Sequence, residues 1–524
     1  MLSRKTLSVL ALTTFTLLVL LATSNRLGSW SGLDEPYYHR EQDAAHDDHK
    51  SHYAPQDPAH GGKGDYPPPP PPYSPPPPPP APTHNASDPS HPPPQTSDKP
   101  PRDPDCAHYP ATSNILLIVK TGASESFARL PTQFLTMLKC IPDYLVFSDM
   151  DQQVAGHHVH DSLSTVLAEV KDGNSDFDLY RRQQACLVDQ ENCNKLGNPA
   201  SEGWNLDKYK NVHIAEKTYA MKPGYDWYVF IDADTYVLWP NLVQWLGKLK
   251  ANKKHYLGSI TLINNFSFGH GGSGYVVSKA AMKDFAGKNP GIANKYDERA
   301  KHECCGDYVF AMALKETSSV AVQQVWPTIN GEKPATLPFG PSHWCHPIVT
   351  MHHMNSEEIS TFWDFERRRT AKAAKSGDTT PLLIKDIYTE YLASKLQPKR
   401  EDWDNKCDDR FYLDVEDKSN KWEDWQLGRM KPYKEYNAFE KKAHLSFEDC
   451  AAACESLPET ECFQYKYQKG ICMFSRSVML GKPVKEDEEL GHTISGWDVK
   501  KIDKWVKAQG ECKKIHWPEV KAQS

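Results

Sequence analysis

The sequence predicts an α/β protein, a sandwich of mostly parallel strands and helices, with a membrane span and a proline-rich stem before it and a small disulfide-rich module after it. Three observations carry this reading. The chain opens on an uncharged apolar stretch; from Cys106 onward short apolar runs alternate with amphipathic stretches; and a charged, Trp- and Tyr-rich tail holds six cysteines from Cys407 to Cys512. A chain of 524 residues can bury a sizeable core in two or three domains. The net charge of -7, with no Lys/Arg cluster interleaved with aromatics, argues against nucleic acid as a partner.

Taking the elements in order, residues 1–5 read as a cytosolic tail and 6–25 as a transmembrane anchor. Thr6 to Asn25 carries no charge and is bracketed by Arg4 and Lys5 on one side and Arg26 on the other. Basic residues on the N-terminal flank keep that end cytosolic, which places the rest in the lumen as a single-pass type II protein. The alternative, a cleaved signal peptide, normally has a shorter apolar core. All thirteen cysteines follow the span, as an oxidising compartment allows, and an odd number leaves one thiol unpaired or intermolecular. The sequons at Asn85 and Asn265 suit the same route.

Residues 26–105 form the stem. Its unbroken runs Pro67 to Pro72 and Pro75 to Pro80 favour extended polyproline II, and almost nothing aliphatic is present to build a core. The runs Ile115 to Val119, Tyr144 to Phe147 and Trp227 to Ile231 read as buried strands. Leu130 to Leu138 and Asn241 to Leu249 read as amphipathic helices, the second following Pro240 at a helix start. This α/β domain is expected over 106–398, and a separate module over 399–524.

Four motifs could carry chemistry. Asp226-Trp-Tyr-Val-Phe-Ile-Asp232-Ala-Asp234-Thr-Tyr is an apolar strand whose end presents two carboxylates one residue apart. Ligands bind at strand C-termini in α/β sheets, and two carboxylates there can hold a hard divalent cation that grips a diphosphate. Acidic pairs also occur at Asp103/Asp105, Asp149/Asp151 and Asp176/Asp178, so the strand context is what distinguishes Asp232 and Asp234. Phe268-Gly-His-Gly271-Gly272-Ser-Gly274 is a glycine-rich turn that lets a substrate approach the backbone closely. Cys304-Cys305-Gly306-Asp307 places an acid ahead of a helical stretch reaching Leu314, where helix capping is the ordinary role. Pro347 to Met354 is an apolar run bearing His352 and His353. Alternation along a strand lets at most one of the two face the acidic pair.

In this order the motifs resemble the Fringe-like glycosyltransferases, the family that includes core-1 β-1,3-galactosyltransferases, over about Cys106 to Phe365. The resemblance implies a GT-A fold and transfer of a hexose or N-acetylhexosamine from a UDP-sugar to a glycan or glycoprotein hydroxyl, with inversion and in β-1,3 linkage, in the Golgi. It implies Mn2+ or another divalent cation at Asp232, Asp234 and His352, the last preferred over His353, with Asp307 as catalytic base. Donor contacts are implied at Thr121, Arg129, Asp149, Lys208, Gly271 and Gly272. Two departures stand out: Ala233 replaces the middle acid of the family's Asp-Asp-Asp, and Gly306 replaces a Glu.

The tail resembles PAN/apple modules through Cys450-Ala-Ala-Ala-Cys454, Cys462 and Cys472. That resemblance implies the pairs Cys407–Cys512, Cys450–Cys472 and Cys454–Cys462. A function of another class is a membrane-tethered carbohydrate- or protein-binding protein on a degenerate transferase scaffold; a nucleotide-sugar hydrolase is a third.

Overall fold

The computed structural model describes residues 103–416, 421–488 and 490–523. The expected span at 6–25 and the stem up to residue 102 lie outside them. Among the described residues no helix is long and apolar enough to cross a membrane.

The expected strands form, and they share one sheet. Strands β1 (Ile115–Lys120), β2 (Tyr144–Ser148), β3 (Gln152–Val154), β4 (His157–Asp161), β5 (Trp227–Asp232), β6 (Tyr236–Val237), β7 (Tyr256–Gly258), β8 (Tyr275–Ser278) and β9 (Gln323–Gln324) are the relevant ones. All but β6 lie in an eight-stranded sheet of order β9-β7-β8-β5-β1-β2-β4-β3. Strands β5, β1, β2 and β4 run parallel, while β8 is antiparallel to both β5 and β7. Alternation explains why the runs are apolar throughout. Ile115, Leu117 and Val119 enter one core with Trp227, Val229 and Ile231, whereas Leu116 and Ile118 enter the opposite core with Tyr228 and Phe230.

Helix α1 (Ser126–Leu135) follows β1, α2 (Lys210–Met221) precedes β5, and α3 (Trp239–Leu246) starts with Pro240 in its first turn. Helix α4 (Gly306–Ser318) is the helical stretch expected after Cys305. The run Pro347 to Met354 yields only the two-residue strand β10 (Thr350–Met351), paired antiparallel with β6, before α5 (Ser356–Ser376). Asn355 caps α5 in a capping box with Glu358.

The C-terminal part is an antiparallel five-stranded sheet of β11 (Arg400–Glu401), β12 (Arg410–Tyr412), β13 (Gln464–Gln468), β14 (Ile471–Ser475) and β15 (Ile494–Trp497), with helices α6 (Phe447–Glu455) and α7 (Val499–Gln509). Its Phe463, Trp497, Ile502 and Trp505 join the same core as Ile115 and Trp227. The Trp344 and Trp505 rings stand 5.0 Å apart.

Six disulfides form: Cys106–Cys140, Cys186–Cys193, Cys304–Cys305, Cys345–Cys512, Cys450–Cys472 and Cys454–Cys462. The expected Cys407–Cys512 bond is corrected. Cys407 is a buried free thiol, and Cys512, beyond the end of α7, reaches back to Cys345. The other two expected tail pairs are present.

Candidate functional site

The register of the parallel strands builds the site. Lys120 lies opposite Asp232 between β1 and β5, and opposite Phe147 between β1 and β2, so three strand C-termini open at one level. The turn leaving β5 is fixed from several sides. The Ala233 N–H donates to the Lys120 carbonyl, and Gln133 of α1 donates to the carbonyls of Ala233 and Thr235 at 2.7 and 3.1 Å. Thr235 Oγ1 donates to the Gly272 carbonyl at 2.7 Å, tying the acidic turn to the glycine-rich one. Ala233 itself is buried in the core, turned away from the two outer carboxylates, where an acid would need a partner.

Pairing of β10 with β6 brings His352 to this turn, where its Nε2 lies 3.4 Å from Asp234 Oδ1. The strand ends at Met351, and His353 takes a left-handed φ of 59°. Alternation therefore does not extend past Met351. Ligand atoms of Asp234, His352 and His353 all lie within 4.8 Å of one another, so both imidazoles face the acid. Gly272 makes this possible: a Cβ there would stand 2.2 Å from the His352 ring.

Across the glycine turn, the Asp307 carboxylate accepts from the Gly271 N–H at 2.7 Å and from the Tyr308 N–H at 2.8 Å, which pins it in the first turn of α4. The N-cap of that helix is Cys305, without a side-chain cap. Gly306 has a local reason: its Cβ would meet the Asp207 carbonyl at 2.6 Å and Asn211 Oδ1 at 2.7 Å.

A chain of charges backs the site. Lys120 Nζ lies 2.7 Å from Asp207 and 3.4 Å from Asp232, and Lys210 Nζ lies 2.9 Å from Asp149. Asp149 is fully buried and also accepts from the Ala123 N–H, so it holds the loop after β1 on which Thr121 sits. Removing one member of so buried a pair costs about 3–5 kcal/mol. Arg129 Nη1 stands 3.7 Å from Asp234. Lys208 is directed elsewhere, to Asp176 at 2.8 Å and to the Lys301 carbonyl.

Electrostatics follow from this geometry. Burial raises the Asp232 pKa, helped by Asp207 and Asp234 and opposed by Lys120. Burial acts on Asp234 in the same direction, but the His352 imidazole and Arg129 outweigh it and hold that carboxyl well below the usual range. Asp307 is raised by burial against the pull of His270, the Gly271 N–H and Lys120. Lys120 stays firmly charged, because Asp207 and Asp232 overcome its desolvation.

The structure thus groups Asp232, Asp234, His352, Asp307, Gly271, Gly272 and Arg129 near the C-terminal ends of β1 and β5, with Asp149 buried behind the loop that carries Thr121. Sequence reasoning missed Lys120, Asp207 and Lys210, and set His353 aside in favour of His352. Lys120 carried a local signal, a charge closing a buried strand.

Residues 111–324 match the family model described as Fringe-like. The match supports a Fringe-like, glycosyltransferase-type domain over that stretch, which includes Asp232, Asp234 and Asp307 and ends before His352. No curated protein matches the chain.

Proposed function

We propose that the chain is an inverting, metal-dependent glycosyltransferase of GT-A type that moves a hexose or N-acetylhexosamine from a UDP-sugar to a hydroxyl of a glycan or glycoprotein in β-1,3 linkage. In this reading residues 6–25 anchor it in the Golgi membrane with the globular part lumenal. The observation that carries the proposal is the convergence of Asp234, His352 and His353 just beyond the end of β5, beside Asp232 and facing Asp307 across the Gly271-Gly272 turn.

The donor set suits Mn2+. Carboxylate oxygens and an imidazole nitrogen are ligands that ion accepts, and Gly272 leaves the His352 ring the room it needs. Asp232, Asp234 and His352 would hold the ion, which when bound neutralises charge building on the departing diphosphate. Asp307 takes the acceptor proton as that oxygen bonds to the anomeric carbon and the bond from the sugar to UDP breaks. Its carboxylate is held by two backbone N–H groups, so it meets the acceptor in a fixed orientation, and its raised pKa makes it a stronger base. Lys120 opposes the loss of charge on Asp232 that burial and the neighbouring Asp207 favour.

The tail fits a PAN/apple-like module through its two internal disulfides and the packing of α6 on its sheet, and we assign it a role in engaging the acceptor. The test is UDP release by the full-length chain with Mn2+ and a panel of UDP-sugars. Release should require the metal, favour one donor, vanish in Asp234→Ala and fall ~100-fold or more in Asp307→Asn. No turnover and no metal-dependent binding of any donor would leave the binding-protein reading in its place.

A further inference from the structure

The acidic pair Asp149/Asp151 is split by the fold. Asp149 is sealed against Lys210, while Asp151 emerges at the base of the β3–β4 hairpin, the outer edge of the eight-stranded sheet. Strand β4 begins His157-His158-Val159-His160, and strand alternation puts His158 and His160 on one face, roughly 6.7 Å apart along the strand. The hairpin register pairs Gln152 with Val159 and Gln153 with His158, so continuing it by one residue sets Asp151 beside His160. The turn at Ala155 and Gly156, with φ of 51° and 82°, fixes that register.

These three side chains converge. His158 Nε2 lies 3.0 Å from Asp151 Oδ2, the two imidazoles are edge to face at 4.1 Å, and a ligand atom from each of the three residues lies within 4.8 Å of the others. The His160 imidazole makes no hydrogen bond to another described residue, and its ring lies against Phe147. The lysine that acts electrostatically on His160, Lys217, has its ammonium occupied by the carbonyls of Asp161 and Ser162 and by Ser164. Access is open, since the Asp151 and His158 side chains are 71% and 44% exposed.

We propose that Asp151, His158 and His160 form a second metal site, distinct from the one at Asp232, Asp234 and His352, that takes Zn2+ or a similar late transition-metal ion with water in the remaining position. Two imidazoles and one carboxylate are a three-ligand set of the kind zinc accepts with one position open. A tetrahedral zinc ion with bonds near 2.0 Å needs its ligand atoms about 3.3 Å apart, a contraction that rotation of exposed side chains supplies. The ion would clip edge strand β3 to β4 immediately after the loop that carries Asp149. This inference does not rest on the glycosyltransferase reading.

The experiment is titration of the metal-stripped full-length chain with Zn2+ by calorimetry, and with Co2+ by visible absorption, which reports imidazole coordination at low coordination number. The expected result is a Zn2+ equivalent that survives His352→Ala but binds at least tenfold more weakly in Asp151→Asn and is lost in His158→Asn/His160→Asn, with the Co2+ band falling in step. If the double variant retains that equivalent and an unchanged Co2+ spectrum, or if His352→Ala removes all bound metal, the proposal is overturned. The UDP-release assay with Mn2+ is read separately, so failure of one reading does not touch the other.

Discussion

Glu366 on α5 is a carboxyl in the core, 3% exposed, that accepts from the Tyr236 hydroxyl, two residues beyond Asp234. Burial pushes its pKa up from 4.5 to about 7, against the opposing pull of Tyr236, Tyr109 and Arg369. An acid whose folded-state pKa is raised contributes stability that is full below the unfolded value and is lost as pH rises through the folded one. A shift from 4.5 to about 7 corresponds to about 3.4 kcal/mol in total, of which about 2.5 falls between pH 5 and pH 8. Glu366→Gln keeps an oxygen for Tyr236 and removes the ionisation. Denaturant unfolding at pH 5 and pH 8 should therefore show the native chain losing about 2.5 kcal/mol more than the variant over that interval. Equal losses in the two proteins would show that Glu366 ionises in the fold without cost, and the account of its burial would fall.

Two further outcomes follow from the site and the disulfides. Gly272→Ala places a Cβ against the His352 ring, so Mn2+ affinity, read by calorimetry, should weaken at least tenfold while the circular dichroism spectrum is kept. Cys407 is the one free thiol and is buried, with burial pushing its pKa well up. A thiol reagent should consequently label none in the native chain and one per chain after unfolding without reductant; labelling of the native chain at neutral pH would contradict its packing.

The sheet was legible because its central strands are buried on both faces, which leaves continuous apolar runs at Ile115, Tyr144 and Trp227. The acidic pair was legible for the same reason, standing where such a run ends. What escaped depends on long-range placement or on backbone detail. Lys120 meets Asp207 across 87 positions, and no local pattern pairs them. His353 faces Asp234 only because the strand stops at Met351 and the next turn adopts a left-handed φ, which alternation cannot foresee. Ala233 and Gly306, departures when the motif is read alone, become intelligible once the core behind one and the Asp207 carbonyl beside the other are seen.

The Cys345–Cys512 bond spans 167 positions, and Cys407 lies between its ends. A ribosome makes the chain from its N-terminus, so Cys345 is complete, and looking for a partner, long before Cys512 exists. The next cysteine to be synthesised is Cys407. A thiolate forms a new bond by attacking an existing disulfide and displacing one of its sulfurs, so access governs which cysteines become joined. Faithful closure therefore depends on timing: the strands around Cys407 must enclose it before it captures Cys345, and the later segment through Cys512 acts as the latch that ties the tail back to Cys345.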